Sequence, residues 1–527
     1  MFQDRLSNQE DAVKSFLARY ADRVLGCLRG FDRVVFRGTL RGISFPEGLM
    51  SLLWKRQVLL KNFDGFAREL TEQVKRAVLA EAERLGRPNQ YIASSRTSKE
   101  QVAREIAERD GIEEGLIAVL RCVEPCSTFD VFRDREHKRL RLVNRIRKCL
   151  FVYRYWIDPV FGFMSARIQT WLPFSIQVCI NGREWLARQM DESGIAYRRL
   201  ENCFPWIEDF DAAQRLMDKQ LEVAWPEALR DVARRLNPEH ETLFHDLPTD
   251  YYWSAYQTEW ASDVVFKTPE LLAEIYPALV LHGVTTFRSP DVMRFLGKRV
   301  RCNFEGEIIS NFRERPEGVR IKHWLEGNSI KLYDKFGVIL RPETTINKPS
   351  CFRVYRPKEG DPDGPKTWRA LRRGVADLHR RAQVSEACND RYLSALAEVD
   401  TSIPIGRLAA RVCRPVKWRG QRVRALRPWA NDDQALLEAM ARGEFAINGF
   451  RNRDMRTLLY PDPPTTPAER RRQTARVSRL IRLLRAHGLV RRVSRTYRYT
   501  LTPSAHQLIP AILTTQRVSL QQLQKVA

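Results

Sequence analysis

Lys331, Tyr333, Asp334, Lys335, Arg341 and Glu343 fall within one stretch, GNSIKLYDKFGVILRPETTIN, from Gly327 to Asn347. These residue types are the ones that phosphodiester chemistry uses. A carboxylate can hold Mg²⁺ or Mn²⁺, which take oxygen ligands. Lysine and arginine can neutralise a phosphodiester, and a tyrosine can attack one or stack on a base. Glu343 is therefore a candidate metal ligand and catalytic carboxylate, and Tyr333 a candidate nucleophile. Lys331, Lys335 and Arg341 are candidate nucleic-acid contacts. The alternative is a cross-strand salt-bridge ladder in which Lys331 or Arg341 pairs with Glu343 and Tyr333 is a rim aromatic.

The element that must position them is a hairpin. A three-residue loop Lys335–Phe336–Gly337, with glycine in the left-handed position, pairs Tyr333 with Ile339, Lys331 with Arg341 and Ser329 with Glu343. Leu332, Leu340 and Ile330 then face the core. Lys331, Tyr333, Arg341 and Glu343 share the other face, which would be a phosphate-facing surface. Asp32, in FDRVVFRG, is the candidate second carboxylate and metal ligand, with Glu343 as its partner. On a strand it shares a face with Val34 and Phe36, so it sits either at an exposed strand end or in a site. Asp158 precedes Pro159 and reads as turn chemistry.

KLYDK followed by LRPET resembles the Y-(D/N)-K…R-x-E segment of replication initiators of filamentous phages and some rolling-circle plasmids. The resemblance covers this short stretch alone. It implies strand nicking through a tyrosine with a divalent metal, and it carries over to Tyr333, Lys335, Arg341 and Glu343. The His-hydrophobic-His pair of many rolling-circle nucleases is absent.

The C-terminal region has its own pattern. NDDQALLEAMARGEF and NGFRNRDMRTLLYP read as two helices. TPAERRRQTARVSRLIRLLRAHG reads as a third, opened by Pro467 and closed by Gly488. LVRRVSRTYRYTLT alternates like a two-stranded wing. Residues 431–510 thereby resemble winged helix-turn-helix domains, which implies DNA binding. Val477, Leu480, Ile481 and Leu484 would face the core of the third helix. Arg472, Arg476, Arg479 and Arg482 fall elsewhere on it, suited to phosphates and guanine edges in a major groove. Arg491, Arg492, Arg495 and Arg498, with Tyr497, would let the wing contact backbone or minor groove. The alternative is a solvated basic face that serves protein contacts.

Other motifs fail on geometry. In HETLFH the histidines are i, i+5, about 140° apart on a helix, whereas a zincin needs i, i+4. FLGKR lacks the upstream glycine and the Ser/Thr of a P-loop, and no GxGxxG follows a strand. His282 and His323 stand singly and read as structural. The block DYYWSAYQTEW could stack bases or supply core aromatics.

The chain has 527 residues, 43% hydrophobic, with formal net charge +25. That surplus points to nucleic acid as partner, DNA being favoured over RNA. No apolar run reaches the ~18 residues of a membrane span, so no membrane partner is expected. The start lacks the plan of a signal peptide. The ten cysteines form no CxxC pairs, and a reducing cytoplasm is the expected location.

The expected fold is multidomain α+β. A mostly helical region with one strand would occupy 1–129. A helix-rich α+β core with an antiparallel sheet would occupy 130–357, with strands joined near Leu172–Pro173 and a turn at Asn181–Gly182. A linker and helical connector would fill 358–430, including the exposed RPKEGDPDGPKTWR, and a tail helix 511–527. Within these, helices are expected over 1–30, from Pro46 to Leu85, from Ser98 to Val123, and over most of 206–300. The expected function is that of a mobile-element-type nucleic-acid-binding protein with metal-dependent, DNA-nicking initiator- or transposase-like activity. The alternatives are a non-catalytic DNA- or RNA-binding protein and a winged-helix transcription regulator.

Overall fold

The structure, a computed structural model, describes residues 16–513 apart from 248, 286, 288, 298–307, 316–317, 359, 362, 398–404, 441–449, 463, 494–495, 503, 506–507 and 510. The fold is α+β. The chain divides into two compact units, one of Arg23–Lys267 with Glu326–Asn389, the other of Met1–Asp22, Thr268–Leu325 and Asp390–Ala527.

The strands through residue 207 are β1 (Val24–Leu40), β2 (Asn89–Tyr91), β3 (Gly115–Asp134), β4 (Arg139–Asp158), β5 (Gly162–Gln169), β6 (Ile176–Asn181), β7 (Tyr197–Leu200) and β8 (Cys203–Ile207). They are followed by β9 (Tyr251–Phe266), β10 (Ile308–Arg315), β11 (Gly318–Leu325), β12 (Asn328–Lys335), β13 (Ile339–Ile346), β14 (Arg353–Arg356) and β15 (Thr367–Ala370).

In the first unit the sheet runs β12-β13-β9-β1-β6-β5-β4-β3-β2. Its ladders are antiparallel except that β2 runs parallel to β3. One face carries the main core: Val34 and Phe36 of β1, Val178 and Ile180 of β6 and Trp260 of β9 pack against the helices Pro46–Lys55, Phe63–Arg84 and Trp225–Leu236. Each buried Val, Leu, Ile or Phe there contributes roughly 1.5–3 kcal/mol. The opposite face is covered in two places. Helix Lys99–Arg109 packs Ala103 and Ile106 against Leu120 and Tyr155. Helices Gly182–Ser193 and Phe210–Asp218 pack on Leu28.

Several expectations change. Residues 24–30 belong to strand β1, where a helix was expected. The segment after Gly111 becomes β3, which pairs with β4 from Gly115↔Ile157 to Asp134↔Arg139 and so crosses the expected boundary at 129/130. An apolar run such as LIAVL carries no period that separates strand from helix, and the long-range ladder decides it. Residues 251–266, expected within a helical region, form β9 between β13 and β1. Its Trp253 and Trp260 are core residues, while Tyr256 is 38% exposed. Asn181 caps the helix Gly182–Ser193 instead of making a turn, its side chain accepting from the N–H groups of Arg183 and Glu184.

In the second unit β10 and β11 form a hairpin. His323 is buried, 2.8 Å from Ser310 Oγ and 3.3 Å from the Tyr392 hydroxyl, and burial lowers its pKa to about 4. His282 bonds the Ala395 carbonyl at 3.2 Å. Both are structural, as expected. The C-terminal part adds a small hairpin of β16 (Val416–Trp418) with β17 (Gln421–Val423) and a three-stranded antiparallel sheet. That sheet is built from β18 (Phe450–Arg451), β19 (Val490–Arg492) and β20 (Arg498–Leu501). Helices Asn431–Met440, Asn452–Leu459 and Pro467–Ala486 pack Leu437, Met455, Val477, Ile481 and Leu484 around Phe450. Thr466 caps the last helix by accepting from Glu469 N–H at 3.2 Å. The expected helical start before residue 16, residues 441–449 of the first C-terminal helix, the tail beyond 513 and Arg495 lie outside the described residues.

The start of helix Gly182–Ser193 is fixed by close approach to β1. A Cβ on Gly182 would lie 1.8 Å from the Phe31 carbonyl oxygen, a backbone atom that cannot swing away. Gly182→Ala is expected to lower stability by at least ~1–3 kcal/mol, the range for overpacking. Gly65→Ala, in a helix with open space around it, is expected to be neutral or stabilising by up to ~1 kcal/mol. Thermal denaturation of both variants checks the contrast.

Candidate active site

The register of the β12–β13 hairpin sets the site. Lys335 pairs with Ile339, Tyr333 with Arg341 and Lys331 with Glu343, so the loop is residues 336–338. Phe336 and Gly337 both have positive φ, 52° and 70°. The expected register is therefore off by two residues. A two-residue slip keeps every side chain on its face, so Lys331, Tyr333, Arg341 and Glu343 do share one side, opposite Leu332 and Leu340.

That side is not the exposed phosphate-facing surface expected from sequence. Arg341 and Glu343 are 0% exposed, Lys335 is 6% exposed, and every residue of β13 is buried. The hairpin is joined to the sheet through β9, which places Glu259 and Asp263 on the same face. Neither was expected, because the segment containing them was taken as helical. Their spacing of four, with Ala261 between and Thr258, Trp260 and Ser262 on the other face, is the period-two signal that could have revealed them.

Asp32 reaches this face through a β-bulge. Phe31 pairs with Trp260 and Arg33 with Glu259, leaving Asp32 as the extra residue. Phe31, Val34 and Phe36 enter the main core, whereas Asp32 bonds Asn202 and Arg341. The expectation that Asp32 shares a face with Val34 and Phe36 is thus corrected: the bulge re-aims it.

A buried polar network results. Arg341 grips Asp263 with Nε and Nη2, the latter at 2.7 Å, and Nη1 lies 3.4 Å from Asp32 Oδ1. Arg341 Nη2 also donates to the Asn202 carbonyl at 2.9 Å. Arg183, fully buried, brings Nη2 to 3.0 Å from Asp263. Asn202 Nδ2 donates to both oxygens of Asp32, at 3.0 and 2.9 Å. Lys331 Nζ is 2.7 Å from Glu343 Oε1, and the Tyr333 hydroxyl donates to Oε2 at 2.8 Å.

The ionisation directions follow. Burial works against the Asp263 charge, but Arg341 and Arg183 outweigh it and hold its carboxyl below the usual range. Burial likewise opposes Glu343, and Lys331, Arg341 and Tyr333 outweigh it. Lys331 is held above its usual pKa because Glu343 and Glu259 overcome its burial. Burial and the Arg341 charge push Lys335 down. Burial and Glu343 push the Tyr333 phenol well up. Glu259 differs from Asp263 and Glu343: burial, then Glu343, raise its pKa.

Asp32, Glu259 and Glu343 each place a carboxylate oxygen within 4.8 Å of the others, the one such group of three potential ligands among the described residues. They come from adjacent strands β1, β9 and β13. The trio fits a hard divalent cation in donor type and spacing. Glu259 is the half-buried member of the trio, and Lys331, Tyr333 and Asn202 beside it are half-buried as well. The HETLFH histidines are not part of any such group; His240 packs between Phe244 and Tyr251, and His245 bonds the Thr242 carbonyl.

On the third C-terminal helix, Arg472, Arg476, Arg479 and Arg482 are exposed, as are Arg491, Arg492 and Tyr497 beyond it. Arg498 is half-buried. Arg476 lies 3.3 Å from Asp432, and Arg482 bonds Gln421 and stands over Trp418. No protein-family model, no curated protein and no solved structure matches the chain.

Glu259 and Glu343 should respond oppositely to neutralisation in metal-free buffer. A carboxyl with a raised folded pKa binds its proton more tightly in the native state, so it costs stability as pH rises above its ordinary 4.5. Glu343, held low, contributes stability above 4.5 that is lost as pH falls through its folded pKa. Glu259→Gln is expected to raise the melting temperature at pH 7, the gain vanishing below pH 4.5. Glu343→Gln is expected to cost about 3–5 kcal/mol at pH 7, because Lys331 loses its partner. Melting curves across pH check both; equal losses for the two variants would contradict this account of the cluster.

Proposed function

We propose that this chain is a nucleic-acid-binding protein of the initiator or transposase type. Its C-terminal module engages duplex DNA, and its core cleaves a strand with a divalent metal. The observation that carries the catalytic part is the convergence of Asp32, Glu259 and Glu343, in which Lys331 and Arg33 do not offset the burial and like charge that raise the Glu259 pKa. Like charges crowded at low dielectric repel, and a divalent cation relieves that repulsion.

Asp32, Glu259 and Glu343 would hold Mg²⁺ or Mn²⁺. When bound, the ion would polarise the phosphate and lower the pKa of an attacking water. Lys331, beside Glu343 at the half-buried edge, is placed to neutralise a phosphate oxygen. Tyr333 is a positioning residue: its hydroxyl donates to Glu343, and its raised pKa argues against its serving as the nucleophile. Arg341 and Arg183 hold Asp263 and orient Asp32. They are structural in this reading, where the sequence made Arg341 a nucleic-acid contact. Lys335, buried with a lowered pKa, is likewise assigned no phosphate.

The C-terminal order of helix, short strand, two helices and hairpin supports a winged helix-turn-helix. Its apolar residues face inward and its arginines outward, the arrangement a DNA-reading helix requires. A second reading, a binding protein without catalysis, is favoured by one observation: Lys331, Tyr333 and Asn202 already satisfy much of Glu343 and Asp32.

Labelled single-stranded and hairpin DNA, and RNA, incubated with Mn²⁺ or with EDTA separate these readings. Metal-dependent cleavage that is lost in Glu259→Gln and retained in Tyr333→Phe at reduced rate is the expected result. Tight binding without cleavage at any metal concentration leaves the second reading. For the duplex grip, Arg472→Ala/Arg479→Ala is expected to reduce the slope of log affinity against log salt by roughly two. An unchanged slope would remove the third helix from the interface.

A further inference from the structure

The two ends of the Pro-, Gly- and charge-rich stretch that reads as an exposed linker, Arg356 and Thr367–Arg369, belong to a hairpin of β14 and β15, with Tyr355 opposite Trp368. A cavity of about 420 Å³ opens on it, lined by Arg353, Arg356, Lys358, Trp368 and Arg369 among others, and by no carboxylate among the described residues. Arg356 is built into its wall. It is 7% exposed, and its two Nη atoms donate to the carbonyls of Pro357 and Ala370, each at 3.0 Å.

The local charge is unbalanced. Asp377 is shared by Arg356 at 3.8 Å, Arg372 at 3.0 Å and Arg380 at 2.7 Å. Burial, then Arg372, lowers the Arg356 pKa, with Arg369 and Arg380 adding to the effect. Arg353, Lys358 and Arg369 make no ion pair with a described residue. Cations that outnumber the carboxylates around a concavity create a potential that a bound anion relieves.

The cavity also has an aromatic edge. Tyr355 and Trp368 are 51% and 55% exposed, with ring centroids 5.8 Å apart. Large exposed aromatics beside guanidinium groups are the combination that recognises nucleotides, rings stacking on bases and cations tracking phosphates. A purely phosphate-binding pocket would not need the rings.

We propose that the β14–β15 hairpin is a binding site for single-stranded nucleic acid, with Arg353, Lys358 and Arg369 on backbone phosphates and Trp368 stacked on a base. This site rests on the nucleic-acid-binding reading above, and adds a grip on unpaired strand separate in sequence from the C-terminal module.

Fluorescence anisotropy of the full chain with a labelled single-stranded oligonucleotide and, in parallel, a duplex tests it. Trp368→Ala is expected to weaken single-strand binding by roughly 5- to 100-fold without changing its salt slope, as loss of one stacked base does. Arg353→Ala/Lys358→Ala, both residues exposed, is expected to lower the slope by about 1.4, the value for two phosphates on a single strand. Duplex affinity should stay within about two-fold in both variants. Unchanged single-strand binding with normal duplex binding would overturn the hairpin site alone. Absence of any nucleic-acid binding by the unaltered chain would overturn it together with the wider reading. Displacement of the oligonucleotide by inorganic tripolyphosphate, with Trp368→Ala behaving as the unaltered chain, would also overturn it, since the pocket would then bind phosphate only.

Discussion

The ion pair of Arg341 with Asp263 constrains the centre of the first unit. Both side chains are removed from water on adjacent strands of a sheet. Burying two charges costs several kcal/mol per ion, and their attraction repays this only where geometry is good and the remaining donors and acceptors are satisfied. The neighbours meet that requirement. Arg183 supplies a second cation to Asp263, Asn202 offers its carbonyl to Arg341, and Asp32 lies against the remaining guanidinium nitrogen. The bulge in β1, the close approach of Gly182 to Phe31 and the tight turn between β7 and β8 can each be understood as placing one of these partners.

Beside this pair sits Glu259, which accepts a hydrogen bond from Gln257 Nε2 at 2.7 Å but faces like charge. Glu259 meets the charges of Glu343 and Asp32 with Lys331 and Arg33 as its opposing cations, and its carboxyl is nonetheless shifted up. A fold selected for stability alone has little reason to keep such a residue at the half-buried edge of a polar core. Catalytic and ligand-binding sites commonly carry this kind of unrelieved electrostatic strain. The contrast between the compensated Asp263 and the strained Glu259, four residues apart on one strand, is the physical basis for assigning a role to the second.

How much of this was legible in the sequence varied with the range of the determining interaction. The hairpin's face segregation was legible, because alternation is local and survives a register slip of two. Its register was not, because Phe336 adopts a left-handed conformation that a phenylalanine seldom takes. Asp32 and Glu343 were legible as partners by residue type. Glu259 and Asp263 were not, since their segment was taken as helical and an extra residue, Tyr256, interrupts the β9 alternation between Ala255 and Gln257. Arg183 was not, since only the packing of helix Gly182–Ser193 on β1 brings it to Asp263. The depth of the site was also hidden. Charged residues suggest solvent, and only the pairing with β9 and the cover from Asn202 and helix Gly182–Ser193 make the face internal. Local signals fared best: the helix starts at Ser98 and at Pro467 are short-range features, and both appear as expected.

The metal assignment of the carboxylate trio is the central claim, and anomalous diffraction from crystals soaked in Mn²⁺ tests it most directly. A peak bounded by Asp32, Glu259 and Glu343, absent from crystals of Glu259→Gln, is the predicted result. Crystals that show no peak there, with Lys331 still closed on Glu343 at high Mn²⁺, would contradict it and leave the cluster as a structural network.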